Sequence, residues 1–398
     1  MSPGGRVLRV MSIFGTRPEA IKLAPVIREL ERSAADGRLH PIVCVTAQHR
    51  QMLDQVLGDF GIVPDHDLDI MVEGQSISRV ASEVLARLEP VLRSERPDWV
   101  LVQGDTTTVA AASLAAYYAG VKVGHVEAGL RSGDKWQPFP EEINRRVASV
   151  IADLHFAPTE QARCTLLAEG VPAGRVVLTG NPVIDTLRWV AAQSPSAEVI
   201  NNLASYGVPR QFLDPAPRPD GAAGRLILVT AHRRENFGAP LEEICLALRD
   251  IAQGFGQRVH LVYPVHPNPN VAGPVRHILG AVPNITLTPP LNYRSLVYLM
   301  QRSHFVMTDS GGLQEEAPSL GKPVLVLRQV TERPEGVASG VAELVGADRT
   351  MIAKAAGRLL TDERAYTKMA RSVNPYGDGY ASERIVQALL DYRASAGE

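Results

Sequence analysis

Cysteine is scarce. The 398-residue chain has three, Cys44, Cys164 and Cys245. They are far apart and fit no ligand spacing, which argues against a disulfide framework and predicts reduced core residues of a cytoplasmic protein. No HExxH and no Cys/His cluster occurs, so no zinc site is visible. Long apolar runs are missing as well. None approaches ~20 residues, the length a membrane-crossing helix needs. The opening "MSPGGRVLRVMSIFG" has no long apolar segment before its first strand, which predicts no signal peptide. Charge of one sign is not in excess: 41 Lys and Arg face 43 Asp and Glu, for a net charge of -2. That balance argues against a nucleic-acid surface or a membrane anchor. Lysine is rare, at six of the 41 basic residues. Arginine forks suit phosphate, although a GC-rich genome accounts for the same bias. No dinucleotide G-x-G-x-x-G occurs. Nor is there a P-loop, because Lys322 follows Gly312 by ten residues and precedes a proline.

What is present is alternation. "RVLRVMSIFG" reads as a buried strand and "RPEAIKLAPVIRELERSA" as an amphipathic helix with Pro18 in its first turn, where its missing N–H costs little. Strand and helix alternate onward through "HPIVCVTAQ", "RQMLDQVLGDFG", "SISRVASEVLARLEPVLRSERP", "DWVLVQGD", "TTTVAAASLAAYYAG" and "VKVGHVEAG". The strands are continuous apolar runs, as in parallel sheets covered on both faces. The pattern breaks around 182–224, at a linker helix "NPVIDTLRWVAAQ" and a Pro/Gly-rich loop, 214–224. It then restarts from "RLILVTAHRREN". The expectation is two Rossmann-like, doubly wound parallel α/β domains facing a cleft: residues 1–187 with a returning C-terminal helix, 376–398, and residues 188–375. "DHDLD" (65–69) looks superficially like a metal motif and is read as a polar connection after a helix.

Parallel sheets bind ligands at the carboxyl ends of their strands, and polar residues collect there. "FGTRPEAIK" places Arg17 at a helix start, with Lys22 on that helix, suited to a phosphate. "GDTTTVAAA" places Asp105 after a strand, although Asp and Thr are also ordinary N-caps. Glu127 in "HVEAG" ends an apolar strand. Glu141 and Glu142 open a helix carrying Arg145, where acidic residues also serve the helix dipole. "TAHRREN" adds His232 and Arg233, and "YPVHPNP" adds His266. In "TDSGGLQEEAPSLGKP", Ser310, Gly311 and Gly312 follow a strand and open a helix, a ready diphosphate site. Glu316 lies about 7 Å further along that helix, within reach of a ribose. Glu315 is read as its structural or solvated neighbour. Asp105, Glu127, Glu141 and His232 together offer acid–base chemistry, and its roles cannot be divided by spacing.

These segments, with "QHRQMLDQVL", "PFPEEINRR", "TERPE" and "NPYGDGYASERI", resemble the non-hydrolysing UDP-N-acetylglucosamine 2-epimerases over roughly residues 8 to 390. The resemblance implies the two-domain glycosyltransferase-B architecture, a homodimer, and interconversion of UDP-GlcNAc and UDP-ManNAc; with the nicotinamide fingerprint missing, no cofactor is expected. By motif it assigns catalysis to Asp105, Glu127, Glu141 and His232. Around UDP it places Arg17, His232, Ser310, Gly311, Gly312 and Glu316. Lys22, Arg145, Arg233, His266 and Arg333 (in "TERPE") are read as further substrate-binding candidates. It also points to Gln48, His49 and Gln51, with Arg233, as an allosteric UDP-GlcNAc site. Gly74 stands where some activated members carry arginine, and this departs from the activated pattern. The route expected is elimination of UDP to a 2-acetamidoglucal, then re-addition. Rival readings are a related UDP-sugar such as a diacetamido uronate, a hydrolysing epimerase, a glycosyltransferase of the same fold, and a UDP-sugar sensor.

Overall fold

The computed structural model describes residues 7–47, 50–72, 74–214 and 224–396. It divides into two compact units, Met1–Thr186 with Tyr376–Glu398, and Leu187–Pro375.

The first unit holds seven strands among the described residues: β1 (Leu8–Phe14), β2 (Leu39–Val45), β3 (His66–Asp67), β4 (Trp99–Gln103), β5 (Lys122–Val126), β6 (Leu154–Ala157) and β7 (Val176–Leu178). Their order is β3-β2-β1-β4-β5-β6-β7, and every pairing is parallel. The central strands are apolar because both faces are covered. Met11, Ile13, Val100, Val102 and Val123 pack against Val84, Leu88 and Leu92 of the helix Ile77–Glu95. The Ala-rich helix Thr107–Tyr118 joins the same core through Val109, Ala112 and Ala116. Its small side chains let the helix Ile77–Glu95 lie close beside it. The last helix, Ala381–Ala396, packs on the first, Arg17–Ala34. Tyr392 meets buried Trp99 edge-on, with ring centroids 5.1 Å apart. Asp185 fixes the start of that last helix by accepting from the Ser382 N–H at 2.8 Å.

The segment 65–69 corrects the sequence reading. It is no mere connection: His66–Asp67 adds an edge strand beside β2. Asp65 accepts from the Val43 N–H at 2.8 Å, and His66 Nε2 meets Glu95 Oε1 at 2.9 Å. A two-residue strand is too short to show a period.

The second unit has six strands among the described residues: β8 (Arg225–Thr230), β9 (Val259–Pro264), β10 (Ile285–Thr288), β11 (Phe305–Thr308), β12 (Val324–Val326) and β13 (Ala342–Leu344). The order is β10-β9-β8-β11-β12-β13, again all parallel. One face is closed by Leu241, Ile244, Leu248 and Ile251 of the helix Ala239–Phe255. The other is closed by Leu299 and Met300 of the helix Tyr293–Arg302, together with Leu203 and Phe212.

In each sheet the winding direction reverses once. The reversal lies between β1 and β4 in the first unit and between β8 and β11 in the second. Loops that leave adjacent strands in opposite directions open a crevice, and ligands of doubly wound folds bind there.

Candidate active site

At the first unit's switch point, the loop after β1 carries Gly15 and Thr16 and the loop after β4 carries Gly104–Thr106. Buried Glu19 ties the two together. Its Oε2 accepts from the N–H groups of Gly15 and Thr16 at 3.0 and 2.7 Å, and its Oε1 accepts from the Thr106 hydroxyl at 2.6 Å. Burial pushes this carboxyl above its usual range, while those hydrogen bonds pull it back. Arg17, half-buried, is the first residue of the helix that follows.

Glu127 stands one residue beyond β5, buried, with φ at 65°. A non-glycine residue held in that left-handed region costs of the order of 1–3 kcal/mol, and such strain collects at functional sites. Hydrogen bonds from three side chains hold the carboxylate. Lys22 Nζ donates to Oε1 and Oε2 at 2.6 and 2.7 Å, Asn181 Nδ2 donates to Oε1 at 3.0 Å, and Gln103 Nε2 donates to Oε2. Gly104, at φ 79°, lies against the same oxygen: a Cβ there would be 3.5 Å from Oε2.

Asp105 is held differently. Arg145 Nη2 binds its Oδ2. Its carboxyl is raised above the ordinary aspartate range, chiefly by burial and further by the nearby Glu127 charge, against the opposing pull of Arg145 and Lys22. A carboxyl so raised suits proton transfer better than an ordinary one. Arg145 also reaches Glu142 Oε2 at 3.3 Å. Glu142 is fully buried and accepts from the Ser132 N–H at 3.0 Å and from Arg146 Nη2 at 3.0 Å. It is therefore a structural anchor of the 130–140 loop. Glu141, beside it, is the first residue of the helix Glu141–Ile151 and is half-buried. Lys22, Asp105, Glu127 and Arg145 come together as one cluster, and among the described residues no hydrogen bond or ion pair joins Glu141 to it.

At the second unit's switch point, β8 delivers His232 and Arg233, and β11 delivers Asp309–Gly312. The threonines ending the two strands, Thr230 and Thr308, share a hydrogen bond of 2.6 Å between hydroxyls. Asp309 is fully buried, and its Oδ2 accepts from the N–H groups of His232 and Arg233, each at 2.8 Å, and from Asn236 Nδ2 at 3.0 Å. His232 stacks on exposed His266, with ring centroids 5.6 Å apart and planes 15° from parallel. Burial depresses the His232 pKa, helped by Arg233 and His266 and opposed by Asp309.

Gly311 begins the helix Gly311–Ser319, with Ser310 at its N-cap making no side-chain capping bond. The leading N–H groups of a helix lack intrahelical partners and carry partial positive charge. Two guanidinium groups flank them: a Cβ on Gly311 would lie 3.9 Å from Nη2 of both Arg233 and Arg333. Arg333 also pairs with Glu315, which is buried rather than solvated. Glu316, also buried, accepts from the Tyr293 hydroxyl at 3.1 Å. Its Oε1 would lie 3.3 Å from a Cβ on Gly312. The arrangement pairs a cationic, N–H-lined helix start with a carboxylate one turn on. That suits a nucleoside diphosphate, whose phosphates are anionic and whose ribose hydroxyls donate.

Several participants were not singled out in the sequence. Gln103 ends β4 and Asn181 follows β7, and the strand-end rule that found Glu127 reaches both. Asp309 sits in the "TDSGG" motif without a role there; Glu19 completes a Thr-x-x-Glu capping box with Thr16, a signal legible in the sequence; and Tyr293 is a helix residue with no sequence signal of its own. Gln48 and His49 lie outside the described residues, as do 215–223 of the long loop. Gln51 falls in the helix Arg50–Phe60, and its side chain is outside the description.

Residues 31–390 match the family model described as UDP-N-acetylglucosamine 2-epimerase. The UDP-N-acetylglucosamine 2-epimerase of Escherichia coli (strain K12) is 51% identical over 388 residues, covering 98% of this chain and 100% of that protein. The crystal structure of UDP-GlcNAc 2-epimerase from Neisseria meningitidis, bound to UDP-GlcNAc, superposes with a TM-score of 0.84 at 46% identity, over 96% of this chain and 100% of that one. A glycotransferase of kitacinnamycin, only 14% identical, shares the fold, with a TM-score of 0.62 over 97% of this chain and 100% of that one. The fold is thus the glycosyltransferase-B kind, built from two Rossmann-like parallel-sheet domains. With half its residues identical to a curated epimerase over nearly the full length of both, the chain belongs to the UDP-N-acetylglucosamine 2-epimerase family.

Proposed function

We propose that this protein interconverts UDP-GlcNAc and UDP-ManNAc at C2 without releasing the free sugar. The observation that carries the reading is the pair of carboxylates at neighbouring strand ends, strained Glu127 and raised Asp105. An inversion at C2 needs proton handling on both faces of that carbon.

The C2–H of the sugar is not acidic, because no carbonyl adjoins it. Breaking the C1–O bond to UDP places positive charge at C1 and acidifies C2–H. A carboxylate takes that proton, a C1–C2 double bond forms, and UDP leaves as an anion. Re-addition of UDP at C1, with protonation of C2 from the other face, gives the epimer. The sugar's oxidation level is unchanged throughout. Ser310, Gly311, Gly312, Arg233 and Arg333, with Arg17, stabilise the diphosphate as its charge develops. His232, beside His266, meets the same leaving group. Glu316 accepts from the ribose hydroxyls. Asp105 is suited to proton transfer by its raised pKa. Glu127, with Lys22 fixed on it, supplies the second carboxylate. Glu141 completes the catalytic set, Lys22 and Arg145 hold the carboxylates in place, and Gln48, His49 and Gln51 form the activating site. The working form is a homodimer in the cytoplasm, and its product feeds cell-surface polysaccharide synthesis.

Product analysis tests this. Purified protein given UDP-GlcNAc alone is expected to yield UDP-ManNAc at equilibrium with the substrate. Release of free ManNAc in step with turnover, or no reaction without an acceptor, would replace the reading with hydrolysis or glycosyl transfer.

A further inference from the structure

Asp309 has two oxygens with contrasting surroundings. Oδ2 accepts three hydrogen bonds, from the His232 and Arg233 N–H groups and from Asn236. Oδ1 is buried and has no hydrogen-bond partner among the described residues. A buried carboxylate oxygen without a donor is costly, and folded proteins retain few such atoms. The side chain facing it is His232, whose Nδ1 lies 3.7 Å away. That is too long for a hydrogen bond. A small turn of the ring closes the gap, and the ring is free enough to make it, with 37% of the side chain exposed. The supporting frame is rigid. Tyr263 donates to the Ala231 carbonyl at 2.6 Å, just before His232, and the Asp309 N–H donates to the Thr230 carbonyl at 3.1 Å. The other charged or titratable groups against the ring are Arg233 and His266, and neither offers an acceptor carboxylate.

We propose that Asp309 is the positioning residue of His232: its Oδ1 takes the Nδ1–H, fixes the tautomer and ring plane, and leaves Nε2 as the ring atom presented to the ligand. A carboxylate bonded to one imidazole nitrogen sets which nitrogen carries the proton and stabilises the protonated ring. His232 then gains its proton most readily when an anion arrives beside Nε2. The inference rests on the proposed epimerase reading only for the identity of that anion, a UDP diphosphate. The tautomer itself is a property of the free protein.

The test is nitrogen-detected NMR of the histidine side chains in 15N-labelled protein, with His232 assigned by its loss in His232→Asn. In the free wild-type protein Nδ1 is expected to carry the proton and Nε2 to be bare. A proton on Nε2 overturns the proposal, whether or not the protein proves to be an epimerase. In Asp309→Asn, the amide oxygen can keep the three donors while its NH2 faces Nδ1. The tautomer should then invert and the His232 pKa should fall. UDP should raise that pKa in the wild type and raise it less in the variant. In turnover, kcat should fall at least tenfold with KM changed little. A folded Asn variant with the wild-type tautomer and kcat would reduce Asp309 to a loop anchor. Should the variant not fold, the wild-type tautomer alone decides.

Discussion

Glu315 and Glu316 are adjacent, and their surroundings explain why two carboxylates can follow an anion site so closely. Glu315 is neutralised by Arg333, which also borders Gly311. Glu316 is held by Tyr293, with an oxygen close to Gly312. Neither is a loose negative charge beside the helix start. In the proposed function Glu316 takes the ribose hydroxyls. Hydrogen bonds to a charged group contribute about 1.5–3 kcal/mol, so Glu316→Ala should weaken UDP binding at least roughly tenfold in titration calorimetry. Unchanged affinity would remove Glu316 from the nucleotide site. At this scale the sequence indicated which residues to inspect, because a polar residue just past an apolar strand has few structural reasons to be there. It did not indicate their partners. The ligation of Glu127 joins residues 22, 103 and 181, and only folding brings those together.

The elements were the most legible part. Buried parallel strands are continuous apolar runs, and the helices between them carry one apolar face, so the alternation could be read directly. Two pieces escaped: the two-residue β3, whose register comes from β2 rather than from its own pattern, and the helices Ala197–Ser205 and Arg210–Leu213, which lie in the stretch read as a break and close one face of the second sheet through Leu203 and Phe212. The loop after β5 shows why an element's end can be more demanding than its middle. Gly129 sits two residues past Glu127 with φ at 93°, and a Cβ there would lie 2.3 Å from the Ala162 carbonyl oxygen. Only glycine lets the chain pass so close to the helix Glu160–Ala168. Gly129→Ala combines an unfavourable φ with a backbone clash and should destabilise the protein by at least about 1–3 kcal/mol. Urea denaturation should show the lower midpoint. An unchanged midpoint would mean that the loop can move away from that helix without cost.

At the scale of the molecule, each unit repeats one topological device, a reversal of winding beside its first strand. The two units use it for different chemistry. The first gathers carboxylates with cations to fix them. The second gathers guanidinium groups, backbone N–H groups and a histidine around a helix start. Among the described residues no helix is long and apolar enough to cross a membrane. The central claim is that C2 loses its own hydrogen to a carboxylate and regains one from water. The most direct measurement is proton NMR of the purified protein with UDP-GlcNAc in heavy water, with nothing else added. Deuterium is expected at C2 in the UDP-ManNAc formed. Epimerised product that keeps its original hydrogen at C2 would contradict the account.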